Sequence, residues 1–226
     1  MIILKRNPHE YARDYALRVI RYNIIELELK PGSMVSENEL ASELGLSRGP
    51  VREALIELAN VEIVEVYPQR GSVIALVDYD LVEEARFVRT TLETAVVERL
   101  CDMGPSPQDI NKLRENLQLQ QLYLDNENIS KLWGLDNEFH AILFSAAGVA
   151  RAHSFMRSMQ LHFDRIRFMG TTVLAGPRNI VDHSEILEAV ASRDSGLAKR
   201  LMYKHLTNYQ IDKQSVYEKY PQYVKQ

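Results

Sequence analysis

Asp136-Asn-Glu-Phe-His140 sets a carboxylate and an imidazole four residues apart. On a helix that spacing is one face, and it suits two ligands of a single metal ion. His183 and His205 fall on two later helical segments, so neighbouring helices of a bundle can bring both to the same centre. One carboxylate and three neutral imidazoles bind Zn, Ni, Mn or Fe, and the ligand types alone do not choose among them; Zn is the leading expectation. A second constellation lies near the other end. Arg48 and Arg52 are four apart, one helical face, immediately after Ser47, which can cap the helix they open. An arginine gives two parallel hydrogen bonds to a guanine, and a helix N-terminus with a serine hydroxyl suits a phosphate. Arg70-Gly71 joins charge to a residue that permits a close turn, a combination suited to sugar-phosphate or the minor groove. Catalysis by the metal is the competing use of the first constellation. Against it, the chain has no His-Glu-x-x-His, and Glu138 points away from the Asp136/His140 face. No catalytic residue is expected.

The elements that position these residues are legible from periodicity and breakers. Tyr15, Val19, Tyr22, Ile25 and Leu29 recur at helical spacing, and Lys30-Pro31-Gly32 stops the pattern, predicting a first helix over 11–29. Ser36-Glu37-Asn38-Glu39 is a capping box before the short apolar face of Leu40, Ala41 and Leu44. Pro50 suits the first turn of the next helix, with Val51, Ala54, Leu55 and Leu58 facing inward. Two helices joined at Gly45-Leu46 make a helix-turn-helix. Ile63 to Val66 and Ser72 to Ile74 switch to β-branched residues around Pro68-Gln69-Arg70-Gly71, which predicts a hairpin or wing. From Asp78 onward the pattern is helical throughout, with starts announced by Ser106-Pro107-Gln108-Asp109 and by Asp182-His183-Ser184-Glu185. The expectation is a mainly α chain: a winged helix-turn-helix over residues 1–77, then an all-α bundle of about six helices over 78–226.

Composition sets the outer limits. With 226 residues and 46% hydrophobic content, two modest cores fit. The single cysteine, Cys101, cannot form an internal disulfide and reads as a small core residue. No stretch is long and apolar enough to suggest a membrane span, and a reducing cytoplasm fits best. A net charge of −4 gives no general sign of nucleic-acid binding, so that case rests on the local motif. Tyr123, Trp133, Phe144, Phe155, Met156, Met159 and Phe163 have the spacing of core residues.

From Leu29-Lys-Pro-Gly-Ser-Met-Val-Ser-Glu-Asn-Glu-Leu-Ala-Ser-Glu-Leu-Gly-Leu-Ser-Arg-Gly-Pro-Val-Arg-Glu-Ala-Leu55 on to Arg70-Gly71, the chain resembles the GntR family of bacterial repressors. The resemblance implies DNA contacts from Arg48, Arg52 and the wing Gly71, supported by Asn38 and Ser47. One departure stands out: Glu62 occupies the place where the family usually has a glycine before the first wing strand. The later pattern, Asp136-x-x-Phe139-His140, then His183-x-x-Ile186-Leu187-x-Ala189, then Ala198-x-x-x-Met202-x-x-His205-Leu206, resembles the C-terminal ligand domain (FCD type) of the FadR subfamily in its metal-binding version. All four ligand positions are filled, while His9, His153 and His162 match none. On residue types alone the Arg86, Arg89, Glu93 stripe is either solvated or lines a cavity. In the related domains an arginine placed like Arg89 lies near the metal, where it can hold an effector carboxylate. The resemblance thus implies a homodimeric repressor of palindromic operator DNA controlled by a small carboxylate, with a purely structural or directly sensed metal as the alternative.

Overall fold

The computed structural model describes residues 1–67, 70–174, 178–207 and 217–225. It divides into two compact units: Met1–Val82 with Leu161–Ile166 and Tyr217–Gln226, and Glu83–Gln160 with Arg167–Val216.

In the first unit α1 (Ala12–Ile25) buries Tyr15, Ala16, Val19, Ile20, Ile24 and Ile25. The helix ends well before Pro31, and the reason is local. Leu27 turns left-handed at φ 59°, and the Leu29 amide donates to the Asn23 carbonyl at 2.9 Å. The Asn23 side chain is fully buried. Its amide nitrogen donates to the Ile2 and Val19 carbonyls, both at 2.8 Å, and its oxygen accepts from the Ile2 amide at 2.6 Å, tying the N-terminal segment to α1. Next, α2 (Glu37–Leu44) starts at Ser36, whose hydroxyl accepts from the Asn38 amide rather than from that of Glu39 as a capping box has it, and it stops at Gly45 in the left-handed region. Ser47 occupies the N-cap position of α3 (Arg48–Asn60), but its side chain makes no capping bond. Val51, Ala54, Leu55 and Leu58 of α3 are buried as expected and pack against α1. Burial of each large apolar side chain contributes roughly 1.5–3 kcal/mol, which holds the outer face of α3 in a fixed orientation.

The wing is a three-stranded antiparallel sheet of order β1-β3-β2, formed by β1 (Met34–Val35), β2 (Val64–Tyr67) and β3 (Gly71–Ile74). Tyr67 pairs with Gly71 across the hairpin, and Val35 pairs with Ser72 on the other side. A two-residue strand such as β1 has no period to read, which is why the sequence pattern gives only the hairpin. At the departure flagged above, Glu62 adopts φ 57°. The Glu62 amide donates to the Ala59 carbonyl at 3.0 Å and the Ile63 amide to the Leu58 carbonyl at 3.1 Å, the paired bonds of a Schellman helix end. The turn that usually recruits glycine forms with glutamate. The exposed Glu62→Gly variant is therefore expected to gain about 0.5–1 kcal/mol, since a left-handed L-residue is strained and glycine returns only part of that as chain entropy. A urea titration should show a higher midpoint at unchanged slope.

Two distant segments complete this unit. Val77 bridges Val224 in parallel: its amide donates to the Tyr223 carbonyl at 2.8 Å, and the Lys225 amide donates back to Val77 at 2.9 Å. His162 and Arg165, at the start of α8 (Leu161–Leu174), grip the backbone at the base of the wing. His162 Nδ1 accepts from the Asp78 amide at 3.1 Å and from Arg165 at 2.8 Å, and Nε2 lies 3.0 Å from the Glu62 carbonyl. Arg165, fully buried, donates to the carbonyls of Ala75 at 2.6 Å and Leu76 at 3.3 Å. Burial pushes its guanidinium down to about 9, so it stays cationic at neutral pH.

The second unit is helical: α4 (Tyr79–Met103) from Glu83 on, α5 (Pro107–Asp125), α6 (Ile129–Ala146), α7 (Ala150–Ser158), the rest of α8, α9 (Arg178–Ala191) and α10 (Ser195–Thr207). Periodicity counts about six helices after the wing, and the described residues give seven; Gly148, at φ 73°, separates the short α7 from α6. Ser106 caps α5 as expected, accepting from the Asp109 amide at 3.1 Å. The second expected start is displaced: α9 begins at Arg178, so Asp182 and His183 lie in its second turn and their side chains are buried. Val97, Leu100, Leu113, Phe139, Leu143, Ile186, Val190 and Met202 form the core together with Cys101 and the expected Phe144 and Met156. Phe155 and Met159 do not join it, being 68% and 41% exposed, because the short α7 turns only one edge inward, at Met156. Among the described residues no helix is long and apolar enough to cross a membrane.

Candidate metal centre and nucleic-acid interface

Asp136 and His140 from α6, His183 from α9 and His205 from α10 converge in the second unit. All four are buried, and each offers one ligand atom within 4.8 Å of the others. His183 Nε2 and His205 Nε2 lie 3.2 Å apart, and Asp136 Oδ1 is 3.6 Å from His183 Nε2. The far side of each imidazole is held from another element. Glu93 of α4 pairs with Nδ1 of His140, Gln120 Oε1 of α5 stands 3.2 Å from Nδ1 of His183, and Asp182 Oδ2 of α9 stands 3.4 Å from Nδ1 of His205. With its proton on Nδ1, facing these oxygens, each ring turns its Nε2 lone pair inward, the arrangement that outer-shell partners give metal-bound histidines. In that tautomer the Nε2 lone pairs of His183 and His205 face each other and repel unless a cation lies between them. Nitrogens bound to one tetrahedral zinc stand about 3.3 Å apart, close to the spacing found. Asp136 Oδ1 and His140 Nε2 are buried with no hydrogen-bond partner in the structure. The donor set fits a divalent metal.

The protonation states agree. Burial pushes His140 down to about 4 and His183 well below the usual imidazole range, so both are neutral at physiological pH. Burial alone would raise Asp136 and Glu93, but neighbouring guanidinium groups reverse the sign: Arg167 holds Asp136 low, and Arg89 holds Glu93 low. Ligands ionised or neutral in this sense bind metal without first shedding protons. The Arg89 side chain is buried beside this centre with its Nε donating to Glu93 Oε1 at 2.5 Å. Arg167 of α8, which sequence reading did not single out, pairs with Asp136 Oδ2 and donates to Asn137 Oδ1 at 3.3 Å. Gln120 is held in turn by its own bond to Asn116 Oδ1 at 2.6 Å, and Phe139 stacks on His183 at 4.2 Å. Neither Gln120 nor Arg167 carries a local signal: each is one polar residue on a helix whose partner is supplied by a different helix.

In the first unit Asn38, Arg48, Arg52, Arg70 and Gly71 line one concave cleft of ≈ 780 Å³ between α2, α3 and the wing. Ser47 is exposed at the adjacent N-cap of α3. Arg48 and Arg52 do not pair with Glu53 or Glu57, as their helix spacing allows; Glu57 is taken by Arg13, and both arginines face Glu37 of α2. Gly71 sits at φ 100°, and a Cβ there would come within 3.1 Å of the Val35 carbonyl, so the turn that presents Arg70 tolerates little else.

A recognition helix with exposed arginines beside an arginine-tipped wing, carried on the same chain as a helical unit with a buried Asp/His centre, defines a winged helix-turn-helix transcriptional regulator. Residues 15–74 match the gntR family of bacterial regulatory proteins, and residues 84–208 match the FCD domain. The chain belongs to the GntR family and carries an FCD domain, the combination of the FadR subfamily. It is 29% identical over 201 residues to the transcriptional repressor RspR of Escherichia coli, covering 88% of each chain. It is 36% identical over 202 residues to a transcriptional regulator from an unstable DNA locus of Streptomyces ambofaciens, covering 88% of this chain and 84% of that one. The gluconate operon repressor of Bacillus subtilis is 28% identical, with 84% of this chain and 80% of that one covered. The fold is shared with Escherichia coli McbR/YncC, at a TM-score of 0.79 and 19% identity over 93% of this chain and 99% of that one. A GntR regulator from a Rhodococcus species gives 0.71 and 24% over 89% and 96%.

Proposed function

We propose that the protein is a cytoplasmic, homodimeric repressor whose affinity for a palindromic operator is set by a small carboxylate bound at a metal held by Asp136, His140, His183 and His205. The observation that carries this reading is the convergence of three buried imidazoles on Asp136, each with a side-chain oxygen facing its Nδ1. When bound, the metal supplies a Lewis-acidic position for a carboxylate or hydroxyl oxygen. Arg89, buried at the same centre, supplies a matching positive charge for that carboxylate. Arg48, Arg52 and Arg70 contact bases and backbone, with Ser47, Asn38 and Gly71 in support. Phe87 of α4, 71% exposed, and Phe155 of α7 offer apolar surface for a two-fold partner. Effector control requires unequal affinity for the DNA-competent and incompetent states, a coupling of about 1–3 kcal/mol.

Four protein ligands also complete a tetrahedral set, which favours a second reading: zinc that is structural or is itself the signal, whereas a six-coordinate Ni, Mn or Fe keeps positions for the acid. One experiment separates them. Metal-loaded protein is titrated with small carboxylic acids while melting temperature and the fluorescence of Trp133 are followed; Trp133 is the only tryptophan and lies one turn before Asp136. An acid that raises the melting temperature, perturbs Trp133 and changes operator affinity supports the effector reading. Operator release by chelator alone, with no acid active, supports the metal-sensing one.

A further inference from the structure

Glu37 opens α2 inside the cleft that presents Arg48 and Arg52. Its Oε2 lies 3.3 Å from Arg48 Nη2 and its Oε1 lies 3.9 Å from Arg52 Nε, so one carboxylate addresses both guanidinium groups. The two arginine side chains are 68% and 70% exposed, and ion pairs this open add little to stability. The start of α2 does not depend on Glu37 either: Ser36 caps the helix, and Glu39 already places a second negative charge in its first turn. A carboxylate in a surface that meets a polyanion weakens binding, so its position needs another reason.

We propose that Glu37 is a specificity-determining positioning residue. It holds the Arg48 and Arg52 guanidinium groups side by side in one orientation for base edges, and its charge opposes contacts that reach phosphate alone. An arginine pinned on one side presents its remaining donors as a fixed fork, which is what bidentate reading of a guanine demands. A free arginine swings to the nearest phosphate regardless of sequence. The proposal rests on the reading of this cleft as the DNA face.

The test uses the full chain and two duplexes: one enriched from a random-sequence pool by repeated binding to the wild-type protein, and a scrambled duplex of the same composition. Affinities are measured over a range of salt. Glu37→Gln removes the charge and keeps the shape; Glu37→Asp keeps the charge and withdraws it by one methylene. For Glu37→Gln, binding to the scrambled duplex should tighten roughly threefold or more. The salt dependence should steepen by about one unit of slope, as for one more phosphate contact. The ratio of enriched to scrambled affinity should fall roughly fivefold or more, the scale of one compromised base reader. For Glu37→Asp the ratio should fall with the scrambled affinity near wild type. A ratio unchanged in both variants overturns the proposal and leaves simple repulsion. Arg48→Ala run alongside separates the two levels: if it binds both duplexes like wild type, the cleft is not the DNA face and the fault lies in the functional reading.

Discussion

The His183→Ala/His205→Ala protein is expected to lose stoichiometric divalent metal, and with it any change in melting temperature on adding a chelator. The wild type should carry one metal per chain and melt lower once it is stripped. With free metal a thousandfold above Kd, binding to the folded state alone is worth about 4 kcal/mol, which is roughly 8–16 °C for a chain of this size. The double substitution removes two of the three imidazoles whose Nε2 atoms meet at the centre, while Asp182 and Gln120 are left with nothing to orient. The pH dependence follows from the same burial. Because His140 is pushed down to about 4 and His183 is also depressed, protons compete weakly with metal until the pH falls well below the usual imidazole range. Metal loss in the wild type should therefore begin below pH 6.5 and steepen toward pH 4. Elemental analysis after dialysis at stepped pH checks both points. A double variant that keeps one equivalent of metal would show that the ligand set is wrong.

What was legible in the chain divides along physical lines. Residues that act through their own helix announce themselves: Asp136 and His140 share a face by spacing, Arg48 and Arg52 do the same, and Ser106 precedes the helix it caps. His183 and His205 need the bundle to meet, and only the resemblance to a known domain could bring them forward. Gln120, Arg167 and Glu37 were not legible. Each matters through a partner on another element, and a lone polar residue on a helix reads as solvated until that partner is placed. Asp182 misled for a related reason. An aspartate before His-Ser-Glu reads as a cap, but its carboxylate faces His205 from inside α9. The glutamate at position 62 shows the opposite case: the residue type argued against the turn, but the turn is fixed by two backbone bonds and by what binds its carbonyl.

That carbonyl leads to the second large effect, which lies in a histidine outside the cluster of Asp136, His140, His183 and His205. His162 matches no ligand position, and it is almost wholly buried in the first unit with both nitrogens engaged. Nδ1 accepts from the Asp78 amide and from Arg165, so the proton resides on Nε2 and is donated to the Glu62 carbonyl. A second proton would have to enter at Nδ1, against two donors and beside the Arg165 charge. Burial first, and Arg165 next, push the imidazole down to about 4. An unfolded histidine titrates near 6.5, so below that pH the unfolded chain binds a proton that the folded one refuses. The contribution is complete above pH 6.5 and is lost as the pH falls toward 4. Between pH 7 and pH 4.5 the wild type should lose about 2 kcal/mol more stability than His162→Gln, which keeps an amide donor and acceptor but cannot be protonated in this range. His140 and His183 are present in both proteins and lie in the other unit, so their own titration cancels in the difference. Urea titrations of both proteins at stepped pH give the comparison. Parallel loss of stability in the two would mean that His162 accepts its proton without breaking its bond to the base of the wing.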